Sequence, residues 1–175
     1  DIDDYDPDGR YIAVVHRPEM GTTIKNGTGG ERLIALSNDV CRLLDDWIAD
    51  RRPDVDDEFG RRPLVSTVGG RAHRSTLRGD CYRYTRPCVS TGECPHDRDP
   101  ESCEAMEYTA AFDCPSSVSP HALRRGGITH HLNSDVPKDV VSDRANVTAG
   151  VLDEHYDRRS QREKMEQRRG YLDNI

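Results

Sequence analysis

The chain has 175 residues, of which 34% are hydrophobic and 33% charged, a length and balance that fit one domain with a modest core under a heavily charged surface. No segment approaches the roughly 20 consecutive apolar residues that span a bilayer, and no signal-peptide pattern opens the chain. These features exclude a membrane-spanning protein and predict a soluble protein of the cytoplasm.

The charged residues are unevenly chosen and unevenly distributed. The chain has 22 Asp, 10 Glu and 22 Arg but 3 Lys, a usage typical of proteins from salt-accumulating archaea, with ordinary compositional drift as the alternative. The net charge of −7 at first argues against nucleic-acid binding, which depends on Lys and Arg neutralising phosphates. Much of the acidic excess precedes residue 60, however, whereas basic residues recur after residue 119, at Arg124, Arg125, Arg144, Arg158, Arg159, Arg162, Arg168 and Arg169. A basic face on an acidic body is therefore possible.

Two strands and a helix are predicted in the first third of the chain. Residues 11–16 and 31–36 are short apolar runs separated by a Gly/Thr/Asn cluster, which is typical of adjacent antiparallel strands. Ser37 is a suitable N-cap for a helix whose apolar residues recur at helical spacing, so we expect these to be core residues: Val40, Leu43, Leu44, Trp47 and Ile48. An extended segment at 63–67 and a helix at 72–84 follow.

The last third is predicted to be helical. Ser119 followed by Pro120 indicates a helix start, with a capping residue before a proline at the first helical position. Gly126 and Gly127 are unfavourable inside that helix, which indicates either close approach of another backbone or a local break.

Two further helices and a polar C-terminal segment are expected after this one. Asp135 is a candidate cap for a short helix that ends near Val141, and Thr148 is a candidate cap for a helix that carries Leu152 and Tyr156. Residues 158–172 are almost all polar and predict a charged helix or a solvated terminus.

Four residues in this region have the chemistry needed to break a phosphodiester bond with a protein hydroxyl. Arg124 and Arg144 can bind and neutralise a phosphate, His121 can transfer a proton, and Tyr156 can act as a covalent nucleophile. His121 and Arg124 are three residues apart, so both project from one face of the first helical turn, where the helix N-terminus favours anions.

The order and spacing of these residues resemble the catalytic domain of the tyrosine recombinases, or phage integrase family. The family's His-x-x-Arg box matches His121 to Arg124, and its tyrosine nucleophile, roughly thirty residues later, matches Tyr156. Arg144 stands where the family usually has a second His or a Trp. The turn between the two predicted strands resembles the family's lysine turn, which makes Lys25 the candidate general acid.

The resemblance implies an α+β, mostly α-helical fold with a small antiparallel β-sheet, and a function in site-specific recombination of double-stranded DNA. Tyr156 would form a 3′-phosphotyrosyl intermediate, His121 would accept its proton, and Lys25 would protonate the leaving 5′-hydroxyl. Arg124 and Arg144 would stabilise the charge on the phosphate. The family needs no catalytic cofactor and works as a homotetramer on two duplexes, which also implies association with the nucleoid.

The family's first catalytic arginine is not found in the sequence and would precede Asp1. We therefore interpret residues 1–175 as an N-terminally truncated catalytic domain, with residues 87–115 as a Cys-rich insertion, and expect the chain alone to be weak or inactive. Two alternatives stay open: a catalytically silent, zinc-stabilised DNA-binding relative, and a strand transferase similar to the type IB topoisomerases.

The insertion contains a second candidate site. Cys88, Cys94, Cys103 and Cys114 lie in this Gly/Pro/Asp-rich segment, with His96 between them. In a cytoplasmic protein, clustered cysteines are more often metal ligands than disulfides, and Zn²⁺ takes four N or S ligands in a closed structural site. The residues predict a structural zinc site made by the first three cysteines and either Cys114 or His96. Reduced free thiols and disulfides are the alternatives.

Overall fold

The computed structural model describes residues 1–157 and 159–172. About 51% of the chain is helix, and its strands form small antiparallel sheets. The predicted α+β class with a small antiparallel sheet is thus confirmed. The chain divides into two compact units, Asp1–Leu77 and Arg78–Ile175, each of which is described by itself.

The first unit contains two small sheets. The larger has strand order β1-β2-β3 with antiparallel neighbours, and Tyr11 of β2 lies opposite Ala35 of β3. The two strands predicted at 11–16 and 31–36 are therefore confirmed as a pair, although each is shorter than expected. The strand bounds are β1 (Tyr5–Asp6), β2 (Tyr11–Val14) and β3 (Arg32–Ala35), with β4 (Ser66–Thr67) and β5 (Gly70–Arg71) forming the second sheet.

Helix α1 (Asn38–Asp46) follows β3 directly and covers the core of this unit. Ser37 caps it as predicted, because its side chain accepts a hydrogen bond from the backbone N–H of Val40. The predicted core face is partly wrong: Val40 and Leu43 are 41% and 67% exposed. The buried side of the helix is centred on Cys41 instead, which packs with Tyr5 and Leu64, and with Leu44 and Ile48 at its edge. The face with Val40 and Leu43 and the face with Cys41 overlap, and both fit the helical spacing. Spacing alone therefore does not show which of the two faces is buried.

The second unit is mainly helical, and three of its helices share one core. Helices α4, α5 and α6 bury Ile128, Leu132, Val141 and Leu152 against one another, with Tyr156 packed at the edge of this cluster. The remaining helical bounds are α2 (Arg74–Tyr84), which contains the boundary between the units, α3 (Pro87–Thr91), α4 (Pro120–Asn133), α5 (Lys138–Ala145), α6 (Ala149–His155) and α7 (Gln161–Leu172). The segment at 158–172 is thus a helix over most of its length.

Helix α4 runs without a break through Gly126 and Gly127. No heavy atom of the described chain lies within 4 Å of a Cβ built at either glycine, leaving aside their chain neighbours and the helix's own backbone. The predicted local break is therefore absent, and close approach of another described part of the chain does not explain the glycines either. Both positions are exposed.

The start of the next helix differs from the sequence prediction. Asp135 does not cap α5, because it adopts a left-handed backbone conformation with φ 59° and the helix begins after Pro137. Proline fixes its own φ in the helical range and disfavours helix for the residue before it, which accounts for the later start. Thr148, by contrast, caps α6 as predicted by accepting from the N–H of Val151.

Residues 87–115 consist of α3, two single 3₁₀ turns and loops. Ala105 and Ala111 are buried there, and the guanidinium of Arg86 is buried and donates to the carbonyls of Arg83 and Ala105. None of the helices in the described residues is long and apolar enough to cross a membrane.

Candidate active site

The His-x-x-Arg box lies on the first turn of α4. Ser119 accepts a hydrogen bond from the N–H of Ala122 at 3.2 Å, and Pro120 occupies the first helical position, as predicted. His121 and Arg124 are both exposed. The first turn of this 14-residue helix therefore presents a proton-transfer group and a guanidinium at the positive end of the helix dipole, a combination suited to an anion.

Arg124 connects the start of α4 to the end of α5. Its Nη2 donates to the carbonyl oxygen of Ala145, the residue after Arg144. Helix α5 ends there because Asn146 adopts the left-handed conformation, with φ 48°. The fold thus brings the Arg124 side chain next to the segment that carries Arg144, which is half-buried. One guanidinium nitrogen is used in this contact, and the group has other N–H donors.

Tyr156 lies at the C-terminal end of α6. Its backbone N–H donates to the carbonyl of Leu152 at 3.0 Å, and its half-buried side chain packs against the core shared by α4, α5 and α6. The ring is therefore supported by the same cluster that supports the helix carrying His121 and Arg124. Three of the candidate residues and the Arg144 segment thus belong to one unit.

Lys25 belongs to the other unit. It is exposed and lies in the turn between β2 and β3, as predicted. The turn is shaped by a hydrogen bond from the N–H of Ile24 to Nδ1 of His16 at 3.2 Å and by left-handed conformations at Asn26 and Gly27. The sequence placed Lys25 correctly on a turn; its role as general acid stays a prediction.

The residue next to the candidate nucleophile, Asp157, was missed by sequence reasoning. Its carboxylate is fully buried and faces three cationic side chains. Nε of Arg159 lies 2.8 Å from Oδ1, Nζ of Lys138 lies 2.8 Å from Oδ2, and Nζ of Lys164 lies 3.4 Å from Oδ2. We refer to these four residues as the Asp157 cluster.

The electrostatics of the Asp157 cluster follow from these contacts. Hydrogen bonds from Arg159 above all, and then from Lys138, hold the pKa of Asp157 far below its usual value, although burial acts in the opposite direction. The pKa of Lys138 is raised by its hydrogen bonds to Asp153 and Asp157. Asp157, Arg159 and Lys138 are therefore ionised at neutral pH. In the sequence, two of the three lysines lie within 30 residues of Asp157, but their spacing matches no recognisable motif.

The cysteines do not form a metal site in the described residues. Cys88, Cys94, Cys103 and Cys114 are half-buried free thiols, and Nε2 of His96 lies 2.9 Å from Oγ of Ser116. Across residues 1–157 and 159–172, no group of three or more His, Cys, Asp or Glu side chains is arranged to hold a metal ion. The zinc site stays a prediction from residue type.

Comparison with known proteins gives no match: neither family models, nor curated proteins, nor solved structures are significantly similar to this chain. What the chain can do must therefore be argued from its own residues.

Proposed function

We propose that this chain is the catalytic domain of a tyrosine recombinase, which breaks and rejoins double-stranded DNA. The observation that carries the proposal is the arrangement of the second unit. His121 and Arg124 share the first turn of α4, Arg124 reaches the end of α5 beside Arg144, and Tyr156 packs on the core common to these helices. Four residues with complementary phosphate chemistry thus lie on, or at the end of, three helices that share one core.

The reaction would proceed by transesterification. Oη of Tyr156 attacks the scissile phosphorus, the P–O5′ bond breaks, and a 3′-phosphotyrosyl bond forms. His121 accepts the tyrosine proton, and Lys25 donates a proton to the leaving 5′-oxygen. Arg124 and Arg144 stabilise the charge on the nonbridging oxygens. The bond energy is retained for attack by another 5′-hydroxyl, so no nucleotide is consumed, and exchange of four strands calls for a homotetramer.

A suicide-substrate assay tests the proposal. Nicked duplexes from the flanks of the native gene lose a short fragment after cleavage, so a covalent protein–DNA adduct accumulates. The assay uses the complete product of the native gene in concentrated KCl. We expect a denaturation-resistant adduct.

Two tyrosine variants provide the decisive comparison. Tyr156→Phe should abolish the adduct, whereas Tyr171→Phe should leave it unchanged, because Tyr171 is 51% exposed near the end of α7. Specific DNA retention without any adduct would refute catalysis and favour the silent DNA-binding relative. Relaxation of supercoiled DNA without exchange between duplexes would favour the topoisomerase-like alternative.

We also propose that the Cys-rich segment holds a structural zinc ion. The support is its donor set, four half-buried thiols and one imidazole within residues 87–115, a segment in which the buried residues described are Ala105 and Ala111. A full set of protein ligands would leave no open position for water, so the ion would stabilise and not catalyse. Elemental analysis of protein purified without added metal should give one zinc per chain.

Single substitutions would identify the fourth zinc ligand. Loss of zinc in Cys114→Ser with retention in His96→Ala would select Cys114, and the opposite result would select His96. Zinc-free wild-type protein with an unchanged melting temperature after chelation would refute the site.

A further inference from the structure

Asp157 directly follows the proposed nucleophile and is the meeting point of four helices. Its carboxylate forms ion pairs with Lys138 at the start of α5 and with Lys164 in α7. Arg159, bound to the same carboxylate, also donates to the carbonyl of Leu132 near the end of α4 and to Oε1 of Gln167 in α7, both at 2.8 Å. Asp157 itself continues from the end of α6.

The backbone of Tyr156 and Asp157 is also held in place by hydrogen bonds to α6. The N–H groups of Tyr156 and Asp157 both donate to the carbonyl of Leu152, at 3.0 and 2.8 Å. The Leu152 side chain is fully buried in the shared core. The Tyr156 side chain, in contrast, is half-buried, so its position depends on where this short backbone segment is held.

The strength of this restraint follows from burial. An ionised carboxylate without access to water is unfavourable unless charges and hydrogen bonds compensate it, and here three cations do so. Movement of Asp157 out of the cluster would leave those cations without this shared partner. The adjacent tyrosine is therefore held more firmly than the exposed end of a seven-residue helix would otherwise be.

We propose that Asp157 is a positioning residue for Tyr156, which sets the tyrosine hydroxyl for attack by holding the end of α6 in the Asp157 cluster. This inference rests on the proposed function of Tyr156 as nucleophile. In-line attack requires the reacting atoms about 3–3.5 Å apart, and a displacement of about 1 Å costs on the order of 100-fold in rate. Asp157 would thus affect the cleavage rate without contacting DNA.

The test combines Asp157→Asn with a matched control, Glu166→Gln. Both remove one carboxylate charge, but Glu166 lies on the exposed side of α7 and pairs with Arg169 alone among the described ion pairs. In the complete product of the native gene, we expect Asp157→Asn to slow adduct formation by about 10- to 100-fold while DNA affinity stays within about twofold. Glu166→Gln should change neither quantity.

A second readout does not depend on activity. 3-Fluorotyrosine placed at position 156 reports the ring environment by ¹⁹F NMR in the absence of DNA. We expect a sharp resonance in the wild-type background and in Glu166→Gln, and a shifted or broadened one in Asp157→Asn. If the wild-type protein forms no adduct, the proposed function fails, whereas the NMR comparison still decides whether Asp157 orders Tyr156.

The outcomes separate positioning from general stabilisation. Folded Asp157→Asn protein with wild-type cleavage and an unchanged resonance would overturn the proposal. If Asp157→Asn does not fold, Lys164→Gln replaces it, since that change removes the most distant of the three cations. A resonance and cleavage rate identical to wild type in Lys164→Gln would then overturn it.

Discussion

Removal of the Leu152 side chain should weaken the second unit severely. Leu152 is fully buried, packs with Ile128, Leu132 and Val141, and supplies the carbonyl that accepts from Tyr156 and Asp157. Leu152→Ala leaves the carbonyl in place but creates a cavity, because three helices enclose the site and can relax only in part. Substitutions of this kind cost about 2–5 kcal/mol, and we expect about 3 kcal/mol.

Hydrogen exchange measures this cost in the affected helices and not in the whole chain, which matters because the chain has two units. A loss of about 3 kcal/mol corresponds to a roughly 100-fold faster exchange of amides in α4, α5 and α6, since each 1.4 kcal/mol is a factor of ten. The same loss would lower the melting temperature of the second unit, Arg78–Ile175, by roughly 12–24 °C.

The control is Leu123→Ala on α4. Leu123 is 44% exposed, so its truncation should change stability by less than about 0.5 kcal/mol. Exchange in α4, α5 and α6 that is less than about fivefold faster in Leu152→Ala than in wild type would show that these helices do not share a cooperative core.

Three further predictions concern single groups in the second unit. Acidification should destabilise it, because folding lowers the pKa of Asp157. The contribution of the Asp157 carboxylate to the free energy of unfolding is complete above about pH 4 and is lost as the pH falls further. The stability of Asp157→Asn should therefore fall less steeply in acid than that of the wild type. Ser119→Ala removes the cap that accepts from Ala122 and should cost about 1 kcal/mol in urea denaturation, whereas a cost near zero would contradict the capping role. Gly126→Ala should stabilise α4 by up to about 1 kcal/mol, because nothing lies near the added methyl group; a lower melting temperature would contradict the open surroundings.

The sequence predicted helix starts correctly where a side chain forms a hydrogen bond with the backbone a few residues away. Ser37, Ser119 and Thr148 each cap the helix expected from the sequence, because the capping hydrogen bond spans three residues and needs no tertiary partner. The strand pair around Lys25 was also predictable, since β2 and β3 follow one another in sequence and pair directly, joined by residues 15–31.

Features that depend on tertiary packing could not be read in the same way. Val40 and Leu43 fit the helical period but face outward, since the choice of buried stripe depends on Tyr5 and Leu64, residues distant in sequence. The Asp157 cluster joins positions 138, 157, 159 and 164, which come from α5, from the residues after α6 and from α7, so no regular spacing marks it. For the candidate site, the sequence predicted the helical contexts of His121, Arg124 and Tyr156 but not the bond between Arg124 and Ala145.

The Asp157 cluster also determines how the chain can be labelled. Of the three lysines, Lys138 and Lys164 direct their ammonium groups to one buried carboxylate, and their side chains are 24% and 15% exposed. Lys25 is exposed on its turn. An acylating dye reacts with solvent-accessible amines, and the side chains of Lys138 and Lys164 are less exposed than that of Lys25. Among side-chain amines, mild acylation should therefore favour Lys25, the residue proposed to protonate the leaving 5′-oxygen. A probe can thus be attached directly to that residue.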